Sequence, residues 1–216
     1  MGVFFRSRRY CIAALLLGAW LGLSQAQAPS AAARTVLVLG DSLSAEYGLA
    51  RGTGWVTLLE QRLAKEKPGT RVVNASISGE TTFGGRSRLA ALLTQHQPTH
   101  VILELGGNDA LRGLSLDATR ANLEWMTQQS KKAGARVLLL GMQMPPNYGA
   151  DYAKRFEGLY AQVARAEKVG LVPFFLKGVA DGPNPTRLFQ PDRIHPTAEA
   201  QPLMLDNVWP ELKKLL

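Results

Sequence analysis

Short apolar runs that end in glycine-rich polar turns recur along this chain, and between them the apolar residues fall at helical spacing. That alternation limits the fold more than any other feature. The run at 36–39, V-L-V-L, is unbroken by a polar residue and reads as a strand buried on both faces. Gly40 ends it, and Asp41-Ser42 follow where the chain turns towards a helix. Further strands are read at 71–75, 100–105, 135–140 and 170–176, the last broken by Pro173. Helical spacing appears at 54–67 through Trp55, Leu58, Leu59 and Leu63, and again at 82–95, 116–133, 151–168 and 197–215. Pro202 and Pro210 leave the continuity of the last helix open. Strands that alternate with helices are joined by right-handed crossovers, which gives an α/β domain with a parallel sheet and helices on both faces. The loops after Gly40, Ala75 and Leu105 then share one edge, the edge at which open α/β sheets build their sites.

The first 28 residues stand apart from this pattern. Arg6, Arg8 and Arg9 precede an apolar stretch at 11–23, and Ala26-Gln27-Ala28 supplies a small-x-small ending. These are the three parts of a secretory leader, with cleavage after Ala26 or Ala28 equally arguable. Thirteen apolar residues are too few to span a bilayer comfortably. The expected mature chain, 29–216, is a single domain and an exported one, periplasmic or secreted, with no stable membrane insertion. Cys11, the only cysteine, leaves with the leader, so no disulfide is expected. The formal charge of the whole chain is +8, and the leader's three arginines without an acid leave +5. That excess is dispersed and is not interleaved with aromatics, so it argues for solubility and against nucleic acid as a partner.

Four polar clusters fall at loops that this topology brings together: Ser42 in G-D-S-L-S, Gly79 in S-G-E-T, Asn108 in G-G-N-D, and Asp192 with His195 in D-R-I-H. They are the groups that acyl transfer needs. A serine hydroxyl is a weak nucleophile unless a base takes its proton as it attacks. A histidine, with an ordinary pKa of about 6.5, does this near neutrality. A carboxylate three residues earlier can hold the imidazole tautomer and stabilise the imidazolium. The N–H groups of Ser42 and Gly79 and the Asn108 amide are candidate donors to the oxyanion, each typically worth about 3 kcal/mol of barrier. Among the three histidines, His96 and His100 have no acid at short spacing, whereas His195 has one in its own loop.

Taken together, the blocks Gly40-Asp41-Ser42-Leu43-Ser44, Gly79, Gly106-Gly107-Asn108-Asp109 and Asp192-Arg193-Ile194-His195 resemble those of the SGNH, or GDSL, hydrolase family. The chain is most similar to its periplasmic thioesterase, lysophospholipase and arylesterase branch. The similarity extends through Ala45-Glu46-Tyr47-Gly48, the stretch 74–81 and Pro146-Asn147-Tyr148-Gly149. The resemblance implies a flavodoxin-like three-layer α/β/α sandwich with five parallel strands in the order 2-1-3-4-5. It implies Ser42 as nucleophile, His195 as base, Asp192 as its partner, and Ser42, Gly79 and Asn108 as the oxyanion hole. It also implies that loops after the third and fourth strands line an acyl groove. Here those loops offer Leu111, Leu114, Met142, Met144, Pro145 and Tyr148, all of a chemistry that suits an acyl chain.

The expected activity is hydrolysis of small-molecule acyl esters or thioesters through a covalent acyl-enzyme, by a monomer. Neither metal nor cofactor is expected, since the mature chain has no Cys and His cluster. A carbohydrate O-acetyl esterase uses the same residues over a shallower pocket, and a small-acyl transferase shares the acyl-enzyme. A flavodoxin-like module for a phosphate-bearing ligand would want a glycine-rich nest at a helix N-terminus, which G-D-S-L-S lacks.

Overall fold

In the computed structural model, which describes residues 1–3, 34–144 and 146–216, the 36–39 run forms the middle of strand β1 (Arg34–Gly40) and is fully buried. Residues 4–33, with nearly all of the expected leader, fall outside the described residues, as does Pro145. On one side β1 pairs in parallel with β2 (Thr70–Asn74), and on the other with β3 (His100–Glu104). Beyond β3 follow β4 (Arg136–Leu140) and β5 (Gly170–Val172). The sheet is therefore all-parallel, in the order β2-β1-β3-β4-β5.

Helix α1 (Trp55–Glu66) packs against α6 (Gln201–Leu215), while α2 (Thr82–His96), α4 (Leu116–Lys132) and α5 (Ala150–Glu167) form a second row. The inward residues of α1 are Trp55, Val56, Leu59 and Leu63, the one-sided spacing that marked this helix in the sequence. Each such side chain withdrawn from water contributes about 1.5–3 kcal/mol before entropy is counted. After β2 the chain crosses to the far side of β1, so the loops that follow β1 and β3 diverge and open a crevice at the carboxyl ends of these strands. Of the described residues, no helix is long and apolar enough to cross a membrane.

Three local departures from the sequence reading have simple causes. Strand β5 stops at Val172 and does not run to residue 176, because Pro173 has no N–H to give to the ladder. The last helix begins at Gln201, after a 3₁₀ turn at Ala198–Ala200, with Pro202 in its first turn, where a missing N–H costs nothing. Pro210 lies within that helix without ending it. The third departure is an added element, α3 (Gly107–Leu111), a five-residue helix directly after β3. It is too short to show a period in its apolar residues.

Candidate active site

Ser42 lies two residues beyond β1, in a turn tied to its own chain. The Asp41 carbonyl accepts the N–H groups of Ser44 (3.2 Å) and Ala45 (2.9 Å), and Asp41 Oδ1 accepts the Leu43 N–H at 3.0 Å. Gly40 is needed at the strand end because a Cβ there would lie 2.7 Å from Glu104 Oε2 and 2.8 Å from Ser44 Oγ. Across the crevice, the 190–196 loop brings His195 to the serine. The Ser42 hydroxyl is 2.9 Å from His195 Nε2, and His195 Nδ1 is 2.7 Å from Asp192 Oδ2. A carboxylate only accepts, so the proton between these two resides on Nδ1. That leaves Nε2 as the acceptor for the serine proton.

The loop that carries this pair is held from several directions. Asp192 Oδ1 accepts the N–H groups of Ile194 and His195, each at 3.0 Å, across Arg193 in the left-handed region at φ 58°. The Gln190 N–H donates to the His195 carbonyl at 2.7 Å, and its side chain donates to the carbonyls of Tyr47 (2.9 Å) and Pro196 (3.1 Å). The Tyr47 ring lies against the imidazole with centroids 4.2 Å apart. The His195 backbone N–H, aided by the imidazole and the Ile194 N–H, holds the Asp192 carboxyl at about 2, below the ordinary carboxylate range.

Gly79 reaches the crevice because the chain continues along β1 after β2: Ala75 donates to the Val38 carbonyl and Ile77 to the Gly40 carbonyl. At φ 78° Gly79 adopts a backbone conformation that side chains resist, and Arg112 clamps its carbonyl at 2.9 Å. Neither the Ser42 N–H nor the Gly79 N–H has a protein acceptor among the described residues. Asn108, in the first turn of α3, directs its amide at Asp41 Oδ2 (3.0 Å) and keeps a second N–H for another acceptor. Its neighbour Asp109 points the opposite way. It is buried, and accepts the Thr82 N–H (2.8 Å) and hydroxyl (2.5 Å) at the start of α2 and the Thr119 hydroxyl (3.3 Å) in α4.

Two further acids lie beneath the serine turn. Burial raises the Asp41 carboxyl from 3.8 to about 6, against the pull of the Leu43 N–H, the Asn108 amide and the charge of His195. Glu104, which ends β3, is pushed well above its ordinary value by burial and then by the Asp41 charge. Among the described residues no three His, Cys, Asp or Glu side chains are grouped as metal ligands.

Comparison with known proteins places the chain in a family. Residues 38–202 match the GDSL-like Lipase/Acylhydrolase family. The chain belongs to that family. It is 53% identical to Esterase TesA of Pseudomonas aeruginosa over 186 residues, 86% of this chain and 91% of the relative. It is 43% identical to the Thioesterase 1/protease 1/lysophospholipase L1 of Escherichia coli K12 over 187 residues, 87% of each. Among solved structures, the psychrotrophic esterase EstA from Pseudoalteromonas sp., inhibited by monoethylphosphonate, superposes with a TM-score of 0.78. That chain is 41% identical, and the match covers 84% of this chain and 97% of the other.

Within this family fold the residues singled out from the sequence separate into two groups. Ser42, Gly79, Asn108, Asp192 and His195 converge on one crevice. Leu111, at the end of α3, Leu114 and Tyr148 are exposed on the segments after β3 and β4, whereas Met142 and Met144 are buried in the core, and Pro145 lies outside the described residues. His100 is a buried strand-start residue, bonded to Thr99 and to the Leu215 carbonyl, and is remote from the crevice. The sequence assigned no role in the site to Glu104, Tyr47 or Gln190. Glu104 had a signal: it is the one acid in the otherwise apolar run V-I-L-E-L.

Proposed function

We propose that this chain is an exported, periplasmic serine esterase that hydrolyses acyl esters and thioesters by way of a covalent acyl-enzyme. The observation that carries the reading is the unbroken chain Asp192–His195–Ser42, at 2.7 and 2.9 Å. Ser42 Oγ attacks the acyl carbonyl carbon as His195 Nε2 takes its proton, and the carbonyl electrons move onto oxygen. The N–H groups of Ser42 and Gly79 and the free Asn108 N–H stabilise that oxyanion. Collapse expels the alcohol or thiol, which leaves with the proton from Nε2. A water molecule, deprotonated by the same nitrogen, then releases the acid and restores Ser42. All five residues belong to one chain, so a monomer is sufficient. The leader at 1–28 accounts for export.

The surface favours an acyl chain over a sugar. Within 34–216, eight large apolar side chains are exposed among the described residues. Seven of these, Tyr47, Ile77, Phe83, Leu111, Leu114, Tyr148 and Ile194, lie on loops or short helical turns at the carboxyl edge of the sheet or in the first turn of α2. Apolar exposure concentrated around one crevice marks a binding surface. The names of the relatives, an esterase and a thioesterase/lysophospholipase, agree with this substrate class. The test is hydrolysis of p-nitrophenyl esters from acetyl to palmitoyl, with organophosphonate-treated protein as blank. Activity greatest at medium or long chains is expected. Activity confined to acetyl would favour a carbohydrate O-acetyl esterase, and none above the blank would remove the esterase reading.

The pH dependence follows from the same geometry. Protonated His195 cannot accept the serine proton, so kcat/KM should fall by about tenfold per pH unit on the acid side. This loss should not be unfolding. Asp41 has a raised value in the folded state, so its contribution to stability is present below 3.8 and lost as pH rises through about 6. Asp192 has the opposite sign, and its contribution is lost only as pH falls from 3.8 through about 2. Between pH 7 and 5, therefore, neither acid destabilises the fold. Activity should drop there while the Tm holds or rises; a rate that stays flat to pH 5 would exclude His195 as the base.

A further inference from the structure

The mechanism above makes no use of Glu104, yet this residue occupies the space directly under the serine turn. It ends β3 opposite Gly40 and is 1% exposed. Its Oε2 accepts the Asp41 N–H at 3.2 Å and the Ser44 hydroxyl at 2.7 Å, and that hydroxyl in turn accepts Trp55 Nε1–H at 3.2 Å. Ser42 lies between the two residues that Glu104 holds. Glu104 and Asp41 are both buried beneath the turn, where burial and then the Asp41 charge push the Glu104 carboxyl well above its ordinary value. The Asp41 carboxyl accepts the Leu43 N–H on one oxygen and the Asn108 amide on the other. A buried acid without a cationic partner is costly when charged, so burial favours its neutral form, and Glu104 has hydrogen-bond partners in the turn above it.

Resting on the serine-hydrolase reading, we propose that Glu104 is a positioning residue of the active site, a buried acid that sets both ends of the catalytic machinery. Through the Asp41 N–H and the Ser44 hydroxyl it fixes the turn that presents the Ser42 hydroxyl and N–H. By fixing the Asp41 backbone it also sets the carboxyl that accepts the Asn108 amide, and so holds that amide where the oxyanion forms. Gly40 belongs to the same device, because any side chain there would displace the Glu104 carboxyl.

Glu104→Asp tests this directly, since it withdraws the carboxyl by one methylene while leaving an acid in place. Its kcat should fall about 30-fold with KM within about twofold, because misplacing a reacting group by about 1 Å costs up to roughly 10²-fold. Glu104→Gln, whose amide both accepts and donates as the neutral acid does, should recover kcat to within about fivefold of the parent. Asn108→Ala alone should lower kcat about 10²-fold, but in the Glu104→Asp background only about tenfold further, since part of the amide's placement is already lost. Should Glu104→Asp fail to fold, Ser44→Ala deletes only the hydroxyl bonded to Glu104 and should lower kcat about tenfold at unchanged KM.

Parental kcat in folded Glu104→Asp, or in Ser44→Ala, overturns the proposal. So does a Glu104→Gln protein no more active than Glu104→Asp, or strictly multiplicative losses in the double variant. In each of these cases, turnover that depends on Ser42 leaves the hydrolase reading standing. A parent whose turnover survives Ser42→Ala removes that reading, and the role of Glu104 with it.

Discussion

Replacing Ser42 by alanine should lower kcat by about 10⁴- to 10⁶-fold, the largest loss any single substitution in this protein should produce. The hydroxyl is the one group that His195 Nε2 faces across the crevice, at 2.9 Å, and no second hydroxyl is bonded to that nitrogen among the described residues. With it gone, no acyl-enzyme forms. What rate survives comes from the oxyanion donors and from substrate binding alone. The fold should not suffer, because Ser42 is half-buried in a turn held by Asp41 and its neighbours. Mass spectrometry after treatment with a fluorophosphonate gives an independent reading: the parent should gain one phosphonyl group and the Ser42→Ala protein none. A variant that keeps a tenth of the parental kcat, or is labelled as the parent is, would show that the nucleophile lies elsewhere.

Asp192→Asn should cost about 10³- to 10⁴-fold in kcat, although the side chain keeps its size and the loop its shape. The amide oxygen of asparagine can still accept the N–H groups of Ile194 and His195, now bonded to Asp192 Oδ1. The other branch becomes an NH₂ that faces His195 Nδ1, where Asp192 Oδ2 stands at 2.7 Å. A donor there calls for a lone pair on Nδ1 and moves the imidazole proton to Nε2, so the base meets Ser42 with the wrong tautomer. The carboxylate also balances the imidazolium that forms as the serine attacks, and the neutral amide does not. Steady-state kinetics on one activated ester, with a thermal melt to confirm the fold, measures the effect. A loss below about tenfold would mean that Asp192 only shapes the loop.

The parts of this site that could be read from the sequence are those whose chemistry is local. Asp192 and His195 are three residues apart, and their pairing needs nothing beyond their own loop. Ser42, Gly79 and Asn108 each follow a strand, so a parallel sheet was enough to bring them to one edge. Glu104 was missed because its partners, Ser44 and Asp41, lie 60 and 63 residues away. An acid at the end of an apolar run says only that something must satisfy it. Tyr47 and Gln190 were given no role for the same reason: their contact joins loops 143 residues apart. Asp109 shares a motif with Asn108 yet serves α2 and α4, because consecutive residues of a helix point about 100° apart.

The sequence by itself determined the class of fold and the edge at which the candidate groups meet. Apolar periodicity and strand-end turns are properties of neighbouring residues, and they settle these matters wherever the chain is read. Only the tertiary structure decided how the groups are held. It placed Met144 in the core while Leu111 and Tyr148 stayed at the surface, and it stopped β5 at Pro173. It also set a buried acid, Glu104, under the serine turn. Those outcomes depend on which side chains compete for the same buried space, and that competition is between residues distant in the chain.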